Sequence, residues 1–150
     1  MNFEFKPAAD YALPRPLLFD GEVAMVDACI RPNSPEGRMR ESLILDRVVG
    51  DMDLSARLVN LQLMLPMTVP LVDLQVPESS ALLWDLYVRN LQVAEYASKV
   101  ACDKRAGLYC VVYDAPLEGV QTFRITSHVI IEATEVDIVS LWIGTKKPLP

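Results

Sequence analysis

Between Pro7 and Ser98 the chain has no lysine, and its whole length holds one histidine, three cysteines and six glycines. Each scarcity closes off some chemistry. A single histidine, His128, with cysteines scattered at Cys29, Cys102 and Cys110, offers no zinc site of familiar ligand spacing. An odd, irregular set of cysteines behind the start MNFEFKPAAD, which has no basic-then-apolar leader, predicts reduced and buried thiols in a cytosolic setting. Six dispersed glycines make no phosphate-cradling loop. The longest uncharged stretch, Leu58 to Val72, is too short to cross a bilayer as a helix and is interrupted by Pro66 and Pro70. Basic charge is also short. Fourteen Lys and Arg stand against 20 Asp and Glu, for a net charge of −6. The basic clusters, Lys104-Arg105 and Lys146-Lys147, are too small for a nucleic-acid face.

What the chain does have is apolar mass. Hydrophobic residues make up 51% of it and mean hydropathy is +0.22, against about 45–50% apolar in ordinary domains. The excess must fill a tight core or be covered by partners. Arginine outnumbers lysine nine to five. That bias suits protein interfaces, because guanidinium is weakly hydrated and bonds as a fork; codon usage explains it equally well.

The chain reads as an extended arm over 1–19, a single α+β domain over 20–144 and a tail over 145–150. The arm carries Pro7, Pro14 and Pro16, which favour extended backbone. Between them stand Phe3, Phe5, Tyr11 and Leu13, too apolar for a solvated tail, so the arm is expected to dock. No internal repeat is visible.

About six to seven mostly antiparallel strands are expected. Glu22 to Arg31 alternates, with Ala24, Val26, Ala28 and Ile30 on one face, and Met39 to Val49 returns after a turn at 32–37. Asp53 to Leu65 fits a capped helix or, more cleanly, a strand with Val59, Leu61, Leu63 and Leu65 on one face. Thr68 to Val76 fits a short edge strand, limited by Pro70. Leu108 to Tyr113, Val120 to Ala133 and Val136 to Gly144 complete the set. Between these groups, about 80–103, Leu82, Leu83, Leu86, Tyr87, Val93, Ala94, Ala97, Val100 and Ala101 share a helical stripe, which predicts one long amphipathic helix on the sheet. Trp84, Val88 and Leu91 form a second apolar patch on it, suited to the arm or to another subunit.

Catalytic signatures are missing, so no catalytic, cofactor-binding or metal-ligating residue is assigned and no cofactor is expected. His128 sits in an expected strand with no nucleophile turn before any serine. Asp27 is the one charge in its apolar run; pairing with Arg40 or Arg47 is the favoured account of it. Asp51 and Asp53 fit a solvated turn, and Asn90, inside the helical stripe, would need a backbone partner.

Three functions compete. The first is a non-catalytic structural subunit of an oligomeric assembly, in its most specific form a virion component such as a capsid, decoration or tail protein. It would contact copies of itself or other proteins of the same assembly through Phe3, Phe5, Tyr11, Leu13, Trp84, Val88 and Leu91. Such a protein would be cytoplasmic or built into a particle assembled there, with neither nucleic acid nor membrane as partner. The second is a small acidic inhibitor or immunity-type protein that covers a basic partner. The third is an enzyme or small-ligand protein whose site is dispersed in sequence.

Overall fold

A computed structural model describes residues 2–8, 18–20, 25–31 and 41–150, with 18–20 described for backbone only. Among them twelve strands and no helix occur: β1 (Phe3–Pro7), β2 (Leu18–Asp20), β3 (Met25–Cys29), β4 (Glu41–Leu45), β5 (Val48–Met52), β6 (Leu58–Met64), β7 (Trp84–Val88), β8 (Ser98–Asp103), β9 (Leu108–Tyr113), β10 (Gln121–Thr126), β11 (Val129–Ala133) and β12 (Ile138–Gly144). They form two five-stranded antiparallel sheets and a two-stranded ribbon of β1 with β7. The described residues are therefore all-β, and the long helix over about 80–103 that made the α+β expectation is not formed.

The expected helix over about 80–103 is β7, an irregular link and β8. Its stripe of apolar residues is real, but Trp84, Tyr87, Val88, Val93, Tyr96 and Val100 favour extended backbone. Partner strands exist for both ends, β1 for β7 and β9 for β8. Asn90, expected inside the stripe, is exposed. Its Oδ1 accepts the Gln92 amide at 3.0 Å, a local turn that competes with helix. The expected single strand Val120–Ala133 is a hairpin, β10 and β11, folded at Ser127-His128. Over 68–76 the chain makes one bridge, Leu71 to Cys102, rather than a strand. Asp53 to Leu65 does resolve as strand, in β6. The expected turn at 32–37 and the start of the next strand lie outside the described residues.

The second half of the chain repeats the first, strand for strand. Neighbours run β2-β3-β6-β5-β4 in one sheet and β8-β9-β12-β11-β10 in the other, each a Greek key with one strand added. Registers agree too. Met25 faces Met64 as Leu108 faces Gly144, and Gly50 faces Leu61 as Ile131 faces Leu141. Each half shifts register at the same place, between Asp51 and Met52 and between Glu132 and Ala133. The turn that follows is built alike: Asp53 Oδ1 accepts the Ser55 and Arg57 amides, and Thr134 Oγ1 accepts those of Val136 and Asp137. In the ribbon, the central residues Phe5 and Leu86 hold equivalent places in the two halves and are each other's ladder partners. That pairing defines an approximate two-fold axis through the ribbon.

The sheets pack face to face. Val26, Ala28, Leu61 and Leu63 meet Val100, Val111, Ile131, Leu141 and Ile143 in one core. Behind the second sheet, Leu108, Cys110, Ile130 and Trp142 are covered by Leu149, Leu74 and Val76. A sheet buried on both faces has no use for alternation. This is why β12 is buried along its whole length and its sequence, Ile138–Ile143, is nearly all apolar.

Candidate interaction surfaces

The junction of the two halves is built around Arg31, two residues past β3. Its Nε donates to Asp85 Oδ1 at 2.8 Å, its Nη1 to the Ile30 carbonyl at 2.8 Å, and its Nη2 to the carbonyls of Ile125 at 3.0 Å and Trp84 at 3.2 Å. One guanidinium thus ties β3, β7 and β10 together. Asp85 Oδ2 also lies 3.8 Å from Arg57 Nη1, and Arg57 bonds Asp53 in turn. Arg31 and Asp85 are 3% and 5% exposed, and a charge buried that deeply persists only when paired and hydrogen-bonded.

Beside this network Phe5 stacks on Phe123 with centroids 3.7 Å apart, and Trp84 meets Phe123 edge-on at 5.4 Å. On the outer side of the ribbon Glu4 accepts from Arg89 at 2.7 Å, with Lys6 near by. The Arg89 hydrogen bond, assisted by Lys6, holds the Glu4 carboxyl below its usual range. The Arg89 guanidinium also lies 4.8 Å from the Tyr87 ring centroid.

Four residues expected to form an interface therefore meet here, inside the chain. Phe3 and Val88 are buried ladder partners, and Phe5 and Trp84 are partly buried about Phe123. Leu91 lies beyond β7 and is 41% exposed. Tyr11 and Leu13 lie outside the described residues. Arg31 and Asp85 escaped the sequence reading. The visible signal was Asp85 itself, a lone charge in the run Leu82-Leu83-Trp84-Asp85-Leu86-Tyr87-Val88.

A second surface comes from the link between the halves, residues 65–83. It closes the free edge of β8: the Cys102 amide donates to the Pro70 carbonyl and the Val72 amide to the Cys102 carbonyl, both at 3.1 Å. It then lays Leu74 and Val76 over the back of the second sheet. Arg124 holds the far end, donating to Ser79 Oγ and the Ser80 carbonyl, and to the backbone oxygens of Leu149 and Pro150. Pinned in this way, the strap and the end of β6 present Met67, Leu71, Val72 and Met64 to solvent, with Met67 fully exposed and Leu71 64% exposed.

The remaining chemical candidates are occupied structurally or stand apart. His128 lies in the β10–β11 turn rather than within a strand, and its Nδ1 donates to the Gly144 carbonyl at 3.0 Å. Asp27 sits on the outer face of β3 with its Oδ1 buried and without a hydrogen-bond partner among the described residues; the expected pairing with Arg47 is not formed, and Arg40 lies outside those residues. Asp51 accepts from Ser42 and Asn60, and Asp53 caps its turn, so neither is simply solvated. The counterpart of Asp51 in the second half, Glu132, accepts from Ser140 Oγ at 2.6 Å and Trp142 Nε1 at 3.3 Å. No group of three or more His, Cys, Asp or Glu is placed to hold a metal ion among the described residues. No helix among them is long and apolar enough to cross a membrane.

Burial pushes the Cys110 thiol up to about 12, with the Glu132 charge adding to it. Burial, and then the Asp46 charge, raise the Tyr113 phenol as well. The unfolded chain therefore gives up these protons first. The stability they contribute is complete below the ordinary thiol value near 9 and declines as pH rises toward the folded values. Urea midpoints are expected to hold steady from neutral pH to about 8.5 and to fall above about pH 9. A midpoint unchanged beyond pH 11 would contradict the burial of both groups.

No family model matches the chain, and neither a curated protein nor a solved structure does.

Proposed function

We propose that the protein is a non-catalytic structural subunit of an oligomeric assembly, most specifically a particle component such as a capsid, decoration or tail protein. The observation that supports this best is the strap. Met64, Met67, Leu71 and Val72 are large apolar side chains held out by a backbone that Pro70 and Cys102 fix to the sheet. Covering one such side chain contributes about 1.5–3 kcal/mol. Because the strap is already ordered, little of that gain is lost to freezing it on contact. The strap also closes the β8 edge, so a neighbour would meet side chains here rather than extend the sheet. The particle form rests on analogy: double antiparallel sheets with Greek-key connections serve in many capsids, and a fold alone does not fix a function.

Sedimentation velocity at micromolar concentration tests the reading. The unaltered protein is expected to sediment as an oligomer. The double variant Met67→Asp, Leu71→Asp should sediment as a 16.7 kDa chain and still unfold cooperatively, since Met67 is fully exposed and Leu71 mostly so. An unaltered protein that stays monomeric at every concentration tested, alone and with proteins from the same source, would overturn the proposal.

A further inference from the structure

We infer that β1 is an exchangeable strand, and that in the assembly it pairs with β7 of a second copy of this chain. The inference rests on the subunit role proposed above and names how two subunits would be fastened. By position β1 belongs to the first half, yet among the described residues its hydrogen bonds and ring contacts go to the second. Its ladder is with β7, from Phe3 against Val88 to Pro7 against Trp84. The Asn2 and Phe3 amides both donate to the Glu135 carbonyl, at 2.9 and 3.2 Å. The Ala8 amide donates to the Leu83 carbonyl, and the Arg89 amide to that of Asn2. Phe5 stacks on Phe123 and Glu4 pairs with Arg89.

The covalent link from β1 to the first half runs over 8–17, which holds Pro14 and Pro16, and of the described side chains of β1 Phe3 also packs in the core beside Leu45 of that half. Extended, those ten residues reach roughly 33–36 Å, about twice the radius of gyration of a chain this size, roughly 15 Å. An arm with that reach meets the same groove on an identical neighbour. Exchange of identical elements keeps every contact listed above, so the two arrangements differ only in the geometry of the link and the entropy of association. In an assembly already held by the strap, the neighbour's groove is at high effective concentration, which lowers the entropic part. The occupant is a second copy because the groove is shaped for Phe3, Phe5 and Glu4 in this register. The approximate two-fold axis through Phe5 and Leu86 shows that the ribbon already serves as a junction between two like bodies.

The test uses the full-length chain in a Cys29→Ser background, which removes the one native thiol that is not buried. Glu4 and Tyr87 are ladder partners on the outer side of the ribbon. One preparation carries Glu4→Cys and another Tyr87→Cys; they are mixed, left to re-equilibrate and oxidised. Exchange predicts a product of twice the 16.7 kDa chain mass on non-reducing electrophoresis, with peptide mapping showing a disulfide between the two different introduced thiols. The inference is overturned if the mixture yields no such product while the double variant Glu4→Cys, Tyr87→Cys closes its disulfide within one chain. Asn2→Cys with Arg89→Cys, at the exposed end of the same ribbon, repeats the comparison should the first pair fail to fold. Sedimentation of the unaltered protein separates the two levels. An oligomer with the disulfide closed inside each chain overturns strand exchange alone, whereas a monomer overturns the subunit role as well.

Discussion

Replacing Asp85 with alanine is expected to destabilise the protein by about 3–5 kcal/mol, the cost of leaving a buried charge without its partner. Arg31 is 3% exposed and keeps three backbone acceptors, the carbonyls of Ile30, Trp84 and Ile125. Those bonds do not neutralise it. With Asp85 gone, Arg57, which lay 3.8 Å from the same carboxylate and keeps Asp53 as its own partner, brings no negative charge to replace it. Arg31→Met in the same chain should recover part of the loss, because removing both charges together is far cheaper than removing one. It should not recover all of it, because the carbonyls of Ile30, Trp84 and Ile125 would then lose this donor. Urea denaturation of Asp85→Ala, Arg31→Met alone and the double variant gives the coupling directly. A loss below about 1 kcal/mol for Asp85→Ala would mean that water reaches Arg31 and that the pair does not organise the junction.

Phe3→Ala is expected to cost about 3–5 kcal/mol, the usual range for truncating a buried aromatic ring. Phe3 is 2% exposed, lies in the main core and faces Val88 across the ribbon. Its loss opens a void between the ribbon and the two sheets, where Leu45, Tyr113 and Ile138 also converge. Fluorescence-monitored denaturation reads the change through Trp84, which lies on the partner strand. Cooperative unfolding at an unchanged midpoint would show that β1 rests on a finished body and supplies none of its stability. Whether β1 docks on its own chain or on a neighbour, the same side chain fills the same space. The variant therefore tests the importance of the groove, and the disulfide mixture tests whose strand fills it.

Strand positions were legible wherever a strand had one wet and one dry face. Val26 and Ala28 against Asp27, and Leu61 and Leu63 against Gln62, gave away β3 and β6 by alternation alone. The region 80–103 misled for a physical reason. A strand with one side chain buried by an ion pair, followed by a turn and a second strand, can place its apolar residues on a helical stripe by chance. Asp85 breaks the alternation of β7 because Arg31 makes burial of its charge tolerable, and Arg31 is distant in sequence. The internal repeat was invisible because what it preserves is register and turn geometry. Equivalent positions such as Gln62 and Trp142, or Gly50 and Ile131, carry unrelated side chains. Pairs that do match, among them Val59 with Val139 and Leu61 with Leu141, are common strand residues that draw no notice.

The candidate surfaces divide in the same way. The aromatic arm and the patch of Trp84 and Val88 were visible as apolar residues needing cover, and the sequence placed the two together as possible neighbours. It could not show that they pair as strands, since pairing depends on which distant segment offers free backbone groups. Composition by itself determined that the chain would bury a large apolar core, that acidic charge would dominate its surface, and that its N-terminal segment was too aromatic to stay in water. Those properties follow from the sum of the residues. Tertiary structure alone decided that Asp53 to Leu65 holds a strand, that one guanidinium holds the halves together, and that Met64, Met67, Leu71 and Val72 remain exposed. Each of those depends on contacts between residues far apart along the chain, whose energies no local pattern contains.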